Sequence, residues 1–136
     1  MKYLLDTNIC IYAIKNKPKT VLKRFKQELD HGVGISSVTL AELEYGVQNS
    51  MDPVKNEQAL LKFLLVLSIL PFGPAAASEY GKIRAALKKK GALIGPLDML
   101  IAGHAKAEGL ILVTNNMREF ERVPGLMLEN WADETG

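Results

Sequence analysis

Short apolar runs alternate with longer amphipathic stretches along this chain, and that alternation limits its fold more than any other feature. Lys2–Leu5, Val33–Ser37, Val66–Phe72, Leu110–Val113 and Leu126–Leu128 read as strands. Helical patterns fill the spaces between them. They cover Asn8–Ile14, a stretch carrying Val21, Leu22, Phe25 and Leu29, Thr39–Gln48, Ala75–Lys90, and a segment from Pro96 to Gly109. Asp52-Pro53 opens a further helix that should run to about Leu65, with Asp capping the free amides and Pro in the first turn. Punctuation supports these limits: Gly32 and Gly34 close the second helix, while Pro71, Gly73 and Pro74 stop the third strand. Strands that take turns with helices build parallel sheets, because a parallel neighbour is reached only through a crossover. Leu110–Val113, apolar throughout, fits a sheet covered on both faces. An α/β fold is expected.

A length of 136 residues suits one core, and no linker, repeat or low-complexity tract divides it. One domain spanning 1–136 is therefore expected. The apolar share of 48% and charged share of 24% are those of a soluble globular protein. The longest apolar stretch, Ala59–Phe72, is broken by Lys62 and closed by Pro71, too short to cross a bilayer of about 30 Å. No charged leader precedes an apolar run, so a cytoplasmic protein with no membrane association is expected. Part of that stretch, Ala59–Leu70, exceeds what a core needs and is a candidate partner surface.

Cys10 is the only cysteine, which excludes an internal disulfide and a multi-cysteine metal site. It is expected to be a small buried hydrophobe, and His31 and His104, standing alone, to be structural. Any metal must then rest on oxygen ligands. The net charge of +2 is too small to identify a nucleic-acid binder, but its distribution is uneven. Lys15, Lys17, Lys19, Lys23, Arg24 and Lys26 stand together without an acid among them, and Lys88–Lys90 close a later helix. Such clusters either hold phosphates or form a solvated helix face.

Ligands of open parallel sheets gather beyond the carboxyl ends of the strands. The chain delivers Asp6-Thr7-Asn8 there after the first strand, Ser36 and Ser37 leading to Glu42 after the second, and Thr114-Asn115-Asn116 after the fourth. Asp98 enters in the first turn of the helix opened by Pro96. Each acid alone has a structural explanation. Asp6 can cap the following helix, Thr39-Leu40-Ala41-Glu42 has capping-box spacing, and Asp98 suits a helix N-terminus. Together, acids from separate elements converge on one rim, where they repel unless cations neutralise them. Oxygen donors of this kind suit Mg²⁺ or Mn²⁺. Asp98 shares a helical face with Ile101, Ala102 and Ala105, so its carboxylate leans inward, whereas periodicity does not separate Glu42 from Glu44.

Several segments resemble the VapC toxins of the PIN-domain family. They are L-L-D-T-N-I-C-I-Y at Leu4–Tyr12, I-S-S-V-T-L-A-E-L-E-Y-G at Ile35–Gly46, I-G-P-L-D-M-L-I-A-G-H-A at Ile94–Ala105, V-T-N-N-M-R-E-F at Val113–Phe120 and V-P-G-L-M-L-E-N-W at Val123–Trp131. The resemblance covers essentially the whole chain in order. It implies a PIN domain, with a five-stranded parallel sheet in the order 3-2-1-4-5 and helices on both faces. It implies the toxin of a type II toxin–antitoxin pair, an endoribonuclease dependent on Mg²⁺ or Mn²⁺ with Asp6, Glu42 and Asp98 as metal-binding catalytic acids. It favours Glu42 over Glu44. The implied substrate is structured RNA, tRNA above all, and the implied partners are a VapB-type antitoxin and a second copy in a homodimer. Two departures stand out: Asn116 and Gly73 occupy positions where relatives carry aspartate.

Asn116, or Glu119 close after it, is the candidate to complete the site. In the implied mechanism a metal-bound water attacks the phosphodiester, with Thr7, Asn8, Thr114 and Asn116 holding carboxylates or waters in place. Rival readings are phosphoryl transfer through an aspartyl intermediate, a receiver domain, and a non-catalytic RNA-binding relative. The first wants a second acid where Asn8 stands. The second wants an aspartate at Gly73 and a lysine after the last strand. The third leaves the three acids without a purpose.

Overall fold

The computed structural model describes residues 1–132. Its strands are β1 (Tyr3–Leu5), β2 (Val33–Ser36), β3 (Ser68–Leu70), β4 (Ile111–Val113) and β5 (Leu128–Glu129). All pairings are parallel and the order is β3-β2-β1-β4-β5, as the resemblance implied. The helices are α1 (Thr7–Lys15), α2 (Lys19–Glu28), α3 (Ser37–Gln48), α4 (Pro53–Leu64), α5 (Pro74–Lys89), α6 (Pro96–Glu108) and α7 (Met117–Phe120). A 3₁₀ turn at Leu29–His31 extends α2. Among the described residues no helix is long and apolar enough to cross a membrane.

Side chains alternate along each strand, so the central strand feeds two cores. Tyr3 and Leu5 join Ile9, Val21, Phe25, Leu43, Leu60 and Phe63 on the side of α1–α4. Leu4 joins Leu112, Ile83, Leu87, Ile101 and Phe120 on the side of α5–α7. That two-sided burial is why the strands are apolar without alternation. Cys10 lies in the first core with no exposure, as expected.

Local chemistry sets the helix starts. Asp6 caps α1, accepting from the Ile9 amide at 2.9 Å, and Asp52 caps α4, accepting from the Lys55 amide at 3.2 Å. Gly109 takes a left-handed conformation at φ 66° to close α6. Gly103 allows α6 to lie against α5, since a Cβ there would come 2.8 Å from the Tyr80 nitrogen.

Some expected limits move. Gly32 ends the second helical region, but Gly34 lies inside β2, where a Cβ would meet the Leu70 side chain at 2.5 Å. Ser37 belongs to α3, because the Ser36 hydroxyl accepts from the Val38 amide at 3.1 Å and caps the helix there. Strand β3 is shorter than Val66–Phe72 and partly exposed, as an edge strand can be. The last strand forms at Leu128–Glu129, displaced from Leu126–Leu128, because that is the register in which it pairs with Leu112 and Val113. Helix α7 has no counterpart among the expected elements: four residues are too few to show a period.

Candidate active site

The chain leaves β1 at the centre of the sheet, where connections depart to opposite sides and the strand ends splay. Asp6 sits there, 4% exposed. Its amide donates to the Val113 carbonyl at 3.0 Å, which ties it to the end of β4. Thr114 follows β4, wholly buried, with its hydroxyl near enough to the Asp6 carboxylate to favour the ionised form. The same hydroxyl accepts from the Asn116 amide at 2.9 Å, which shapes the turn into α7.

Glu42 comes from the middle of α3 and accepts a 2.8 Å hydrogen bond from the Thr7 hydroxyl, 35 residues away in sequence. Asp98 stands in the first turn of α6 with its Oδ2 over Gly95, 3.4 Å from where a Cβ would lie. Glu119, half-buried in α7, lies near enough for its charge to be felt at Asp98. Glu44 is exposed and lies against Glu57, away from it. Asn116 is half-buried at the N-cap of α7 but makes no side-chain cap bond, and Asn8 is exposed.

The electrostatics show which acids feel one another. Burial pushes the Asp6 carboxyl up to about 6, and the charges of Asp98 and Glu42 add to that, against hydrogen bonds from Thr114 and the Ile9 amide. Burial also raises the Asp98 carboxyl, helped by Glu119 and then Glu42. Among the described residues no ion pair involves any of these four acids. As they stand, no three acids among the described residues close around a common point tightly enough to cage an ion. Like charges spread apart, and Glu42 has turned to Thr7. The donor set nevertheless fits a hard divalent cation: all oxygen, excess negative charge, and a buried carboxylate at its centre.

A PIN domain model matches residues 3–126. The tRNA(fMet)-specific endonuclease VapC of Shigella flexneri is 50% identical over 133 residues, covering 97% of this chain and 99% of the relative. The VapBC2 complex of Rickettsia felis bound to a promoter DNA fragment superposes with a TM-score of 0.91 at 45% identity, covering 96% of this chain and 99% of that one. DNA-bound VapBC of Salmonella typhimurium matches equally, with a TM-score of 0.91 at 46% identity and coverage of 96% and 98%. The chain belongs to the VapC ribonucleases of the PIN-domain family.

In this VapC-family chain, one local reading of the sequence needs correction and two contacts escaped it. Thr39 does not form a capping box with Glu42. Ser36 already caps α3, Thr39 is buried, and Glu42 is bound to Thr7. Asn115, not singled out from sequence, donates its amide to the Tyr12 hydroxyl at 3.1 Å, joining the turn after β4 to α1. A second contact without local signature joins buried His104 to Ser36. Both link residues too far apart for spacing to reveal. The T-N-N sequence is the available hint for the first, since a run of small polar groups at a strand end needs partners.

Proposed function

We propose that this VapC-family chain is the toxin of a toxin–antitoxin pair and cuts structured RNA with the help of Mg²⁺ or Mn²⁺. What carries the reading is the convergence of Asp6, Glu42, Asp98 and Glu119 on the switch point of the sheet, with no ion pair to any of them among the described residues. Asp6, Glu42 and Asp98 would hold the ion. Bound there, it would supply an acidified water and neutralise charge on the phosphodiester. Thr7 holds Glu42 and Thr114 lies at Asp6, so each carboxylate already has a polar partner beside which an ion would bind. Glu119 adds negative charge beside Asp98, the part for which Asn116 and Glu119 are both candidates, and Asn116 remains a neutral helper. The name of the Shigella relative makes an initiator tRNA the substrate to try first.

The relatives solved as VapBC complexes support a VapB-type antitoxin as partner; a second copy in a homodimer is the other partner proposed, and the cytoplasm the proposed location. Leu61, Leu65 and Val66, 54%, 83% and 55% exposed, give the Ala59–Leu70 stretch an apolar surface for one of them. Purified chain, freed of any antitoxin, is incubated with initiator tRNA and Mg²⁺ or Mn²⁺. Discrete cleavage that stops with EDTA and is absent in Asp98→Asn is expected. Cleavage persisting in EDTA would overturn the metal reading, and no cleavage of any structured RNA would overturn the nuclease reading.

A further inference from the structure

A polar contact lies wholly inside the protein where α6 packs against the start of α3. The Nδ1 atom of His104 is 2.8 Å from the Ser36 hydroxyl, and both residues are fully buried. Ser36 is also the residue that caps α3. The Phe72 ring stands edge-on to the imidazole, with centroids 5.5 Å apart, and the Phe72 amide donates to the Ser37 hydroxyl at 3.0 Å. The first turn of α3 is thus held from two sides.

Burying an imidazole carries a desolvation cost that leucine or phenylalanine would avoid. Among the described residues Nε2 has no hydrogen-bond partner, so part of that cost goes uncompensated. Burial also keeps the ring neutral, which suits a hydrogen-bonding tie. Packing alone gives no reason for histidine here. The geometry of the two helices does. Six residues beyond Ser36 along α3 is Glu42, and six residues before His104 along α6 is Asp98. The charge of Glu42 is felt at Asp98. Helices α3 and α6 are in contact, and with His104 bound at Ser36 and the charge of Glu42 reaching Asp98 they run in opposite directions, the acids roughly 9 Å along each helix from the buried hydrogen bond.

We propose that His104 is a positioning residue for the acid cluster: its hydrogen bond with Ser36 fixes α3 against α6 and thereby places Glu42 relative to Asp98. The proposal deepens the nuclease reading, since it assigns those two acids to one working site. A slip of one residue along α3 would move Glu42 by about 1.5 Å, enough to spoil a coordination shell.

The test compares His104→Phe, which fills the space without the bond, with His104→Gln, which keeps a polar group, and with Ser36→Ala. Mn²⁺ affinity by calorimetry, kcat and KM on RNA, and thermal melts are measured for each. His104→Phe and Ser36→Ala should weaken Mn²⁺ binding about tenfold and lower kcat about ten- to hundredfold, below their melting temperatures. KM for RNA should change less than about threefold, and His104→Gln should recover part of both losses. The double variant should lose no more than Ser36→Ala alone, which removes both the bond to His104 and the cap of α3. Wild-type Mn²⁺ affinity and kcat in folded His104→Phe and Ser36→Ala would overturn the proposal, leaving His104 as core packing. Should His104→Phe fail to fold, Ser36→Ala and His104→Gln decide by the same readings. If the wild type neither binds Mn²⁺ nor cuts RNA, the nuclease reading fails. The carboxyl ¹³C shifts of Glu42 and Asp98 in metal-free protein then decide the register: movement of both in Ser36→Ala supports it, and no movement overturns it.

Discussion

Burial and the neighbouring charges raise the Asp6 carboxyl from 3.8 to about 6, although the helix amide it caps pulls the other way. Folding therefore favours its protonated form. In metal-free protein, stability should fall as pH climbs from 3.8 through about 6, with the full cost present above that window. The shift is equivalent to about 3 kcal/mol as an upper figure. Asp6→Asn keeps a cap acceptor and removes the charge. Denaturant melts should find it more stable than the wild type at pH 7, by up to that amount, with the difference gone near pH 3.5. A variant less stable than the wild type at pH 7 would show that the fold favours the ionised Asp6 carboxylate, against a raised pKa. Glu119 and Glu121 offer a second contrast, because Glu119 raises Asp98 whereas Glu121 is exposed. Glu119→Gln should slow cleavage about tenfold or more, and Glu121→Gln should leave the rate within about twofold. Equal effects would remove Glu119 from the site.

Helix packing supplies the next level, and Gly103 is its tightest point. A methyl group there meets the Tyr80 backbone at 2.8 to 3.0 Å, and backbone cannot swing aside as a side chain can. Gly103→Ala should cost about 1–3 kcal/mol in a chemical denaturation curve despite the better helix propensity of alanine. A stabilised variant would mean that α5 and α6 are free to separate. At this scale the sequence is most informative. Alternating apolar runs and helical patterns place the long elements, because each buries enough surface to show its period. The short elements escape: α7 spans four residues and β5 two, and both are defined by their partners rather than their own pattern. Of the candidate acids, Asp6 and Asp98 are legible because a strand end and a first turn gather ligands, whereas only the family resemblance favours Glu42 over Glu44. The Thr7–Glu42 bond is not, since 35 residues separate its ends and the nearer capping-box spacing points to Thr39.

Across the whole molecule, an acidic cleft must receive a polyanion. Lys15, Lys17, Lys19, Lys23 and Lys26 are exposed, and none forms an ion pair among the described residues. Lys15 also lines a groove of about 240 Å³ beside Glu42. These cations are therefore placed to attract phosphates that the carboxylates repel. With cleavage disabled by Asp98→Asn, replacing Lys17, Lys19 and Lys23 by glutamine should weaken RNA binding and flatten its salt dependence. On single-stranded RNA the log–log slope should fall by about 0.7 for each phosphate that is no longer neutralised. An unchanged slope would make that face merely solvated.

The division of the interior into two cores also bears on how the protein fails. Asp6 and Glu42 are carried by the layer of α1–α4, while Asp98 and Glu119 are carried by the layer of α5–α7. On the proposed site, cleavage requires both layers to be closed together. If one layer opens as a cooperative unit before the other, amide exchange will quicken in it while its neighbour stays protected. Activity should vanish at the temperature where the weaker layer opens, ahead of the loss of overall helix signal. In that case the toxin would switch off by a partial, reversible opening before its chain unfolds.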